Sequence, residues 1–277
     1  MLRYGIPEYR LPKEILDEEI LTIEKMGVEI ITDTKIGVDI PFETVREDFD
    51  AVLLGIGAWI STGVGCKGED ADGVIGGIDF LRKVVRNEEI ELGEKVAIVG
   101  GGNTAMDACR TAVRLGAKEV YNIYRRTKDE MPADMVEIEE AEEEGVIFKN
   151  LTNPIEVIKD ENGHAKEVVL QAMELGEPDA SGRRSPVEIP GSEYEMDCDT
   201  VIMSLGTSPN PLISSTTAGL ETNRRKCIVA TEDTGATSKD GVYAGGDAVT
   251  GAATVILAMG AGKTAAESID EYFKENK

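Results

Sequence analysis

Val96-Ala-Ile-Val-Gly100-Gly-Gly102-Asn-Thr-Ala105-Met-Asp107 is the stretch whose reading decides the fold. The run Val96 to Val99 is apolar throughout, as a parallel-sheet strand buried on both faces must be. The glycines after it predict a tight turn into a helix. In a G-x-G-x-x-A pattern the first glycine makes the turn and the second lets a pyrophosphate touch the backbone. The small third residue lets helix and strand pack closely. Gly100, Gly102 and Ala105 hold these places. The helix is expected from about residue 103 to 115, with Asn103 and Thr104 in its first turn. Its free N–H groups and positive dipole end would face a phosphate.

Such a pattern recurs by chance in a chain with 30 glycines, so its context matters. The helix stops at Leu115-Gly116, a C-terminal glycine signal. A second strand, Val120 to Tyr124, follows. An NAD site would carry an acid near the end of this strand for the ribose hydroxyls. Arg125 and Arg126 stand there instead. A guanidinium suits a phosphate, so the expected dinucleotide is NADP(H). The competing reading is a solvated basic pair closing a strand, and the glycine pattern upstream favours the phosphate.

The 277 residues suggest two domains, and 41% apolar content is enough for real cores. A net charge of −24 argues against nucleic acid or an acidic membrane surface as partner. It reads more simply as a solubility-rich surface than as a site for a basic partner. Cys66, Cys109, Cys198 and Cys227 are scattered without a C-x-x-C. Neither a metal knuckle nor a local redox pair is encoded, and reduced thiols in a cytoplasmic protein are expected. His164 is the only histidine and follows a turn, which disfavours a His-based triad or metal site. No apolar run approaches the about 18 residues of a membrane span. The opening Met1-Leu-Arg-Tyr-Gly5 does not read as a signal peptide.

Outward from the glycine turn, two prolines make residues 1–13 an extended loop. A helix over 13–25 carries an apolar stripe of Ile15, Leu16, Ile20, Leu21 and Ile23, and a strand over 28–32 follows Gly27. Residues 50–58 predict a buried strand running into a glycine-rich loop, and a linker helix over 77–86 precedes the glycine motif. An acidic helix over 133–144 reads as a solvated face. A strand at 146–148 comes next. Residues 156–159 and 166–170 flank Asn162-Gly163 as a hairpin. A polar loop over 176–190 leads to a buried strand over 199–206 that exits at Gly206. Gly241-Val-Tyr-Ala-Gly245-Gly246-Asp247, a polar turn and a helix of small residues over 253–273 end the chain.

Two spurious motifs drop out. Gly260-Ala-Gly-Lys-Thr264 lacks the first glycine and the preceding strand of a phosphate loop. Tyr124-Arg-Arg-Thr-Lys128 has the Tyr-x-x-x-Lys spacing of short-chain dehydrogenases, but that pair works one helical turn apart and this one closes a strand.

Taken together, Tyr4-Gly-Ile-Pro7, Arg10-Leu-Pro-Lys13, Gly100 to Asp107, Tyr124-Arg-Arg126, Asp129-Glu-Met-Pro132 and Gly245 to Gly251 resemble the small (beta) subunit of NADPH-dependent glutamate synthase. The resemblance covers essentially the whole chain. It implies an α/β flavoprotein of two dinucleotide-binding domains, glutathione-reductase-like. An NADPH domain at 90–205 would be inserted into a split FAD domain, 1–89 and 206–277. It also implies hydride transfer between NADPH and FAD, then electrons passed to an iron–sulfur or glutamate-synthase-type partner. No protein acid, base or nucleophile is expected to be catalytic, because the cofactors carry the chemistry. By the same resemblance Asp247, after Gly246, would bind the FAD ribityl chain. The N–H groups near Thr254 and Val255 would face the flavin N1/O2 edge. Asn103 and Thr104 would lie on the NADPH pyrophosphate, and Arg125 and Arg126 on its 2′-phosphate.

The family's own G-x-G-x-x-G unit for the FAD pyrophosphate, and its N-terminal iron–sulfur region, have no counterpart here. This chain is therefore expected to hold little FAD alone, either as a fragment or with another chain supplying that unit. The alternative is an NADP(H)-binding fragment without flavin or turnover. On either reading residues from about 90 to 205 are expected to fold alone and bind NADP(H). A thioredoxin-reductase-like activity is disfavoured by the missing C-x-x-C.

Overall fold

The computed structural model describes residues 1–178 and 182–275. In chain order the helices are α1 (Lys13–Lys25), α2 (Phe42–Asp48), α3 (Gly77–Val85), α4 (Asn103–Arg114), α5 (Met135–Glu143), α6 (Leu212–Thr216), α7 (Asp247–Thr250) and α8 (Val255–Glu275). The strands are β1 (Val52–Leu54), β2 (Ile60–Ser61), β3 (Val74–Gly76), β4 (Lys95–Val99), β5 (Glu119–Tyr124), β6 (Ile147–Asn150) and β7 (Thr152–Lys159), then β8 (Ala165–Pro178), β9 (Arg184–Glu188), β10 (Tyr194–Asp197), β11 (Thr200–Met203), β12 (Thr207–Ser208) and β13 (Val242–Ala244). The chain forms two compact units. One gathers residues 1–18 and 61–206, and the other gathers 19–60 with the chain from Thr207 onward.

The first unit is built on a five-stranded parallel sheet of order β3-β11-β4-β5-β6. The apolar run of β4 has a partner on each face. Val96 and Ile98, with Ile202 of β11, pack against Phe80 of α3, Met106 of α4 and Ile138 of α5. Ala97 and Val99, with Val201 and Met203, pack against Val157, Val168 and Leu170 of the antiparallel layer. That layer has the order β10-β8-β7, and β9 pairs with the far half of β8. β7 and β8 are the expected hairpin, with Thr152 opposite Ala172 and Lys159 opposite Ala165. In its turn the Asp160 carboxylate accepts the N–H groups of Asn162 and His164, and Gly163 takes φ +91°.

Several expectations need correction. Part of the polar loop expected over 176–190 is strand. β8 runs to Pro178 and β9 begins at Arg184, while residues 179–181 lie outside the described residues. Residues 28–32 form no strand, and Val28 and Ile31 are exposed. A β-branched run becomes a strand only when a neighbour takes up its backbone groups, and β1 pairs with β13 instead. The strand expected over 50–58 shrinks to β1 for the same reason. α1 forms over the expected residues, yet none of its apolar stripe is buried.

The second unit holds a two-stranded parallel sheet, β1 with β13. Its core is Phe42, Leu54, Ile213, Leu220, Ile228, Val242, Ala244 and Ala248. Of the 21 residues of α8 only Ala265 is buried. Gly260 to Thr264 lies inside this helix, so no phosphate loop exists there.

Candidate dinucleotide site

The turn after β4 needs its glycines for reasons the structure makes explicit. Gly100 has φ +141°, and a Cβ there would sit 2.3 Å from the Ser204 carbonyl oxygen. Its N–H donates to the Ile123 carbonyl, and the buried Asn122 amide donates to the Gly100 carbonyl at 2.8 Å. A Cβ on Gly101 would strike the Tyr124 ring at 2.6 Å. Gly102 differs. It is the N-cap of α4, and the nearest protein atom to a Cβ there would be Pro132 Cγ at 3.9 Å. The space above Gly102 is thus open beside the first turn of α4, where the Ala105 N–H donates to the Gly102 carbonyl and the N–H groups of Asn103 and Thr104 precede the first acceptor of the helix. A phosphate fits such a cradle. Ala105 is fully buried, so the close packing required of the third position is present.

Asn103 and Thr104 open α4, both half-buried. The Asn103 amide oxygen accepts the Asp134 N–H at 2.9 Å, at the N-cap of α5. The Ala133 N–H donates to the Gly101 carbonyl. Met131 to Asp134 therefore hold the starts of α4 and α5 together at one end of the glycine turn. The sequence reading missed this role.

The arginine pair is split. Arg125 is exposed and makes no hydrogen bond or ion pair with another described residue. Arg126 is buried, 5% exposed, and its Nε donates to the Arg184 carbonyl of β9 at 2.7 Å. Arg125 lines an open cleft of about 530 Å³ whose other lining residues come from β7, β8, β9 and Pro190.

α4 is also held from behind. Arg10 Nη1 donates to both oxygens of Asp107, at 3.0 and 3.1 Å, and Arg10 Nε lies 3.3 Å from Glu137. The guanidinium carbons of Arg110 and Arg114 lie 4.5 and 3.9 Å from the centre of the Tyr9 ring. Arg110 pairs with Glu137, Glu140 and Glu144, and Arg114 binds Glu144 with two hydrogen bonds. The expected solvated face of the acidic helix is thus corrected for one stripe, whose carboxylates answer the arginines of α4. The spacing of 137, 140 and 144 against 110 and 114 is the signal that carried this. Burial pushes Asp107 up to about 6, outweighing the opposite pull of Arg10.

In the second unit, Gly245 and Gly246 let the backbone lie on small residues of α8. A Cβ on either would meet Ala261 or Ala258 at 3.2–3.3 Å. Gly246 has φ +65° and precedes α7. The Asp247 carboxylate accepts the Ala253 N–H at 3.3 Å, and burial raises its pKa. The Thr254 hydroxyl accepts the Leu257 N–H, so Thr254 caps α8 while Val255 opens it. Both are exposed. Gly206 ends the first unit at φ +124°.

No cluster of metal-ligating side chains occurs among the described residues. The four cysteines are free thiols, and burial pushes Cys198 up to about 12 and raises the other three. No described helix is long and apolar enough to cross a membrane.

A parallel sheet with a glycine turn, a helix N-terminus and a basic strand end defines a dinucleotide-binding α/β protein. The chain belongs to the pyridine nucleotide-disulphide oxidoreductase family, whose model matches residues 2–263. It is 44% identical over 279 residues to the beta subunit of the NADP(+)-dependent formate dehydrogenase of Moorella thermoacetica, covering 99% of this chain and 39% of the relative. It is 41% identical over 300 residues to the NADPH-Fe(3+) oxidoreductase subunit beta of Geobacter sulfurreducens, covering 100% and 45%. The resemblance to glutamate synthase stands, with 36% identity over 288 residues to the NADPH small chain of Escherichia coli, covering 99% and 61%. The chain therefore spans less than half the length of the first two relatives. Its fold matches that of Mycobacterium tuberculosis FprA in complex with NADPH, with a TM-score of 0.78 at 18% identity over 99% of this chain and 74% of that one.

Proposed function

We propose that the first unit binds NADP(H) and that the chain is the pyridine-nucleotide module of a flavoprotein oxidoreductase. The observation that carries the reading is the open cradle over Gly102 at the start of α4, with an unpaired Arg125 at the end of the adjacent strand. The pyrophosphate lies on Gly100, Gly102, Asn103, Thr104 and Ala105, and the 2′-phosphate lies at the Arg125–Arg126 end. In the second unit, Gly246 and Asp247 take the ribityl chain of FAD and the start of α8 at Thr254 and Val255 takes the isoalloxazine edge. The exposure of that helix start and the half-buried Asp247 carboxylate support this assignment. When bound, the two cofactors supply the hydride transfer, and the residues of this chain bind and orient them. The electrons then pass to an iron–sulfur partner subunit or domain, a reading supported by relatives that are themselves subunits.

Calorimetric titration tests the reading. A charged bidentate contact is worth about 1.5–3 kcal/mol, so Arg125→Ala should weaken NADPH roughly 10- to 150-fold and leave NADH nearly unchanged. Equal weakening of both would remove the specificity argument.

A further inference from the structure

The starts of α4 and α5 are joined twice. One clasp is the bond from the Asp134 N–H to Asn103, beside the glycine turn. The other is Arg10. Its Nη1 donates to both carboxylate oxygens of Asp107, the fifth residue of α4. Its Nε lies 3.3 Å from Glu137, the third residue of α5. Arg10 belongs to neither helix but to the loop before α1, and that loop is a built element. The Lys13 ammonium donates to the carbonyls of Leu2, Ile6 and Leu11, and the Glu8 carboxylate accepts the Lys13 N–H. Tyr9 donates to Asp107 at 3.4 Å and lays its ring on Arg110 and Arg114.

Net stability is a weak reason for such a pair. Desolvation offsets most of the attraction, and apolar residues of the same volume hold a fold as well. Its place on the helix gives a better one. The first turn of α4 carries no acid, so Asp107 is the first acid of the helix. It lies roughly 6 Å along the axis from Asn103, close enough inside a protein for one charge to be felt by another. An ionised Asp107 opposes an anion on the first-turn N–H groups, and Arg10 cancels that charge. Of the other groups around Asp107, Glu137 adds to the opposition, and burial keeps the Tyr9 phenol protonated. Arg110 is answered by Glu137, Glu140 and Glu144.

We propose that Arg10 is a positioning residue for the dinucleotide: it neutralises Asp107 and ties α4 to α5, so that the first turn of α4 presents its full positive end to the pyrophosphate. The inference rests on the NADP(H) reading above. It makes affinity depend on the charge of Asp107. Burial places that proton at about 6, so affinity rises as pH falls through 6 and the carboxyl becomes neutral.

The probe is ADP-ribose, whose pyrophosphate keeps its charge between pH 5 and pH 8 and which lacks the titrating 2′-phosphate. Calorimetric titrations of the whole chain over that range separate charge from shape. Affinity of the unsubstituted chain should rise at least threefold from pH 8 to pH 5. Asp107→Asn should abolish this step and bind at pH 8 as tightly as the unsubstituted chain does at pH 5. Arg10→Ala should weaken ADP-ribose at least threefold at pH 8 and move the step to higher pH, since the carboxyl then has no cation beside it. Adding Asp107→Asn to Arg10→Ala should recover most of that loss. A step that persists in Asp107→Asn would show that the charge is not felt at the helix start, and the inference would fall. A double variant no tighter than Arg10→Ala would overturn it too, by reducing Arg10 to packing. The Asp107→Asn profile decides the matter even where Arg10→Ala does not fold. A chain that binds NADPH but not ADP-ribose would show that α4 gives the pyrophosphate no measurable hold, which also defeats the inference. Failure of the unsubstituted chain to bind NADPH at any pH would instead sink the NADP(H) reading itself.

Discussion

In the first unit each face of the sheet is covered, by α3, α4 and α5 on one side and by the β7–β8 layer on the other. In the second unit two short strands share one core, and a 21-residue helix buries a single side chain. The difference lies in where pairing partners are encoded, not in how apolar the segments are. Val96 to Val99 is buried, whereas Val28 to Ile31, apolar but for Glu29, is exposed throughout. Hydrophobic burial stabilises a segment only in proportion to the area another segment covers.

The largest effect expected from this contrast comes from cutting the first unit. A segment of residues 90–206 contains the glycine turn but lacks β3 and α3. It loses Phe80 and Leu81 from the core and leaves one edge of β11 open. Against the expectation from sequence that residues 90–205 fold alone, it should show no cooperative thermal transition by circular dichroism, whereas residues 1–18 joined to 61–206 should melt cooperatively. A sharp transition in the shorter segment would show that the sheet does not depend on β3.

A point substitution in the same core comes next. Phe80 is fully buried, so Phe80→Ala should cost about 3–5 kcal/mol in denaturant titration. A loss under 1 kcal/mol would mean the α3 layer is loosely packed.

A smaller effect is tied to pH. Asp107 binds its proton at about pH 6 in the folded chain and at its ordinary carboxylate value when unfolded. Between these values the folded state holds the extra proton. Through this group stability therefore rises as pH falls from 7 toward 5, and the gain is lost as pH climbs back through 6. Asp107→Asn should remove that component, flattening the change in Tm between pH 7 and pH 5. Identical pH slopes in the two proteins would refute the raised pKa.

The smallest effect belongs to the second unit. Ile256 is 80% exposed, so Ile256→Ser should change stability by no more than about 0.5 kcal/mol. A drop comparable to that of Phe80→Ala would show that α8 is covered after all, and the contrast between the units would fail.

Much of the first unit was legible because its signals are local. The run Val96 to Val99, the spacing of Gly100, Gly102 and Ala105, and the turn around Gly163 each specify backbone geometry within a few residues. The missed features depend on residues far apart in the chain. Asn103 bonding at Asp134, the acidic stripe of α5 answering Arg110, and Arg126 turning inward to Arg184 are relations between segments. Arg125 and Arg126 look equivalent in sequence, yet in the bend that follows β5 one is exposed and the other is buried against β9. Residues 28–32 misled for the converse reason, since a strand-like composition carries no information about whether a neighbour exists.

The hold of Tyr9 and Arg10 on α4 bears on how this unit could be transplanted. A chimera that grafts residues 95–150 into another dinucleotide fold would carry the glycine turn, α4 and α5 intact. It would leave behind the aromatic ring lying against Arg110 and Arg114 and the guanidinium that answers Asp107. Asp107 is almost fully enclosed, so the graft would contain a carboxylate stripped of its counter-ion, a defect costing about 3–5 kcal/mol. The smallest portable form of this binding unit is discontinuous, and an engineer borrowing it must carry the first dozen residues along with a helix that begins some ninety positions later.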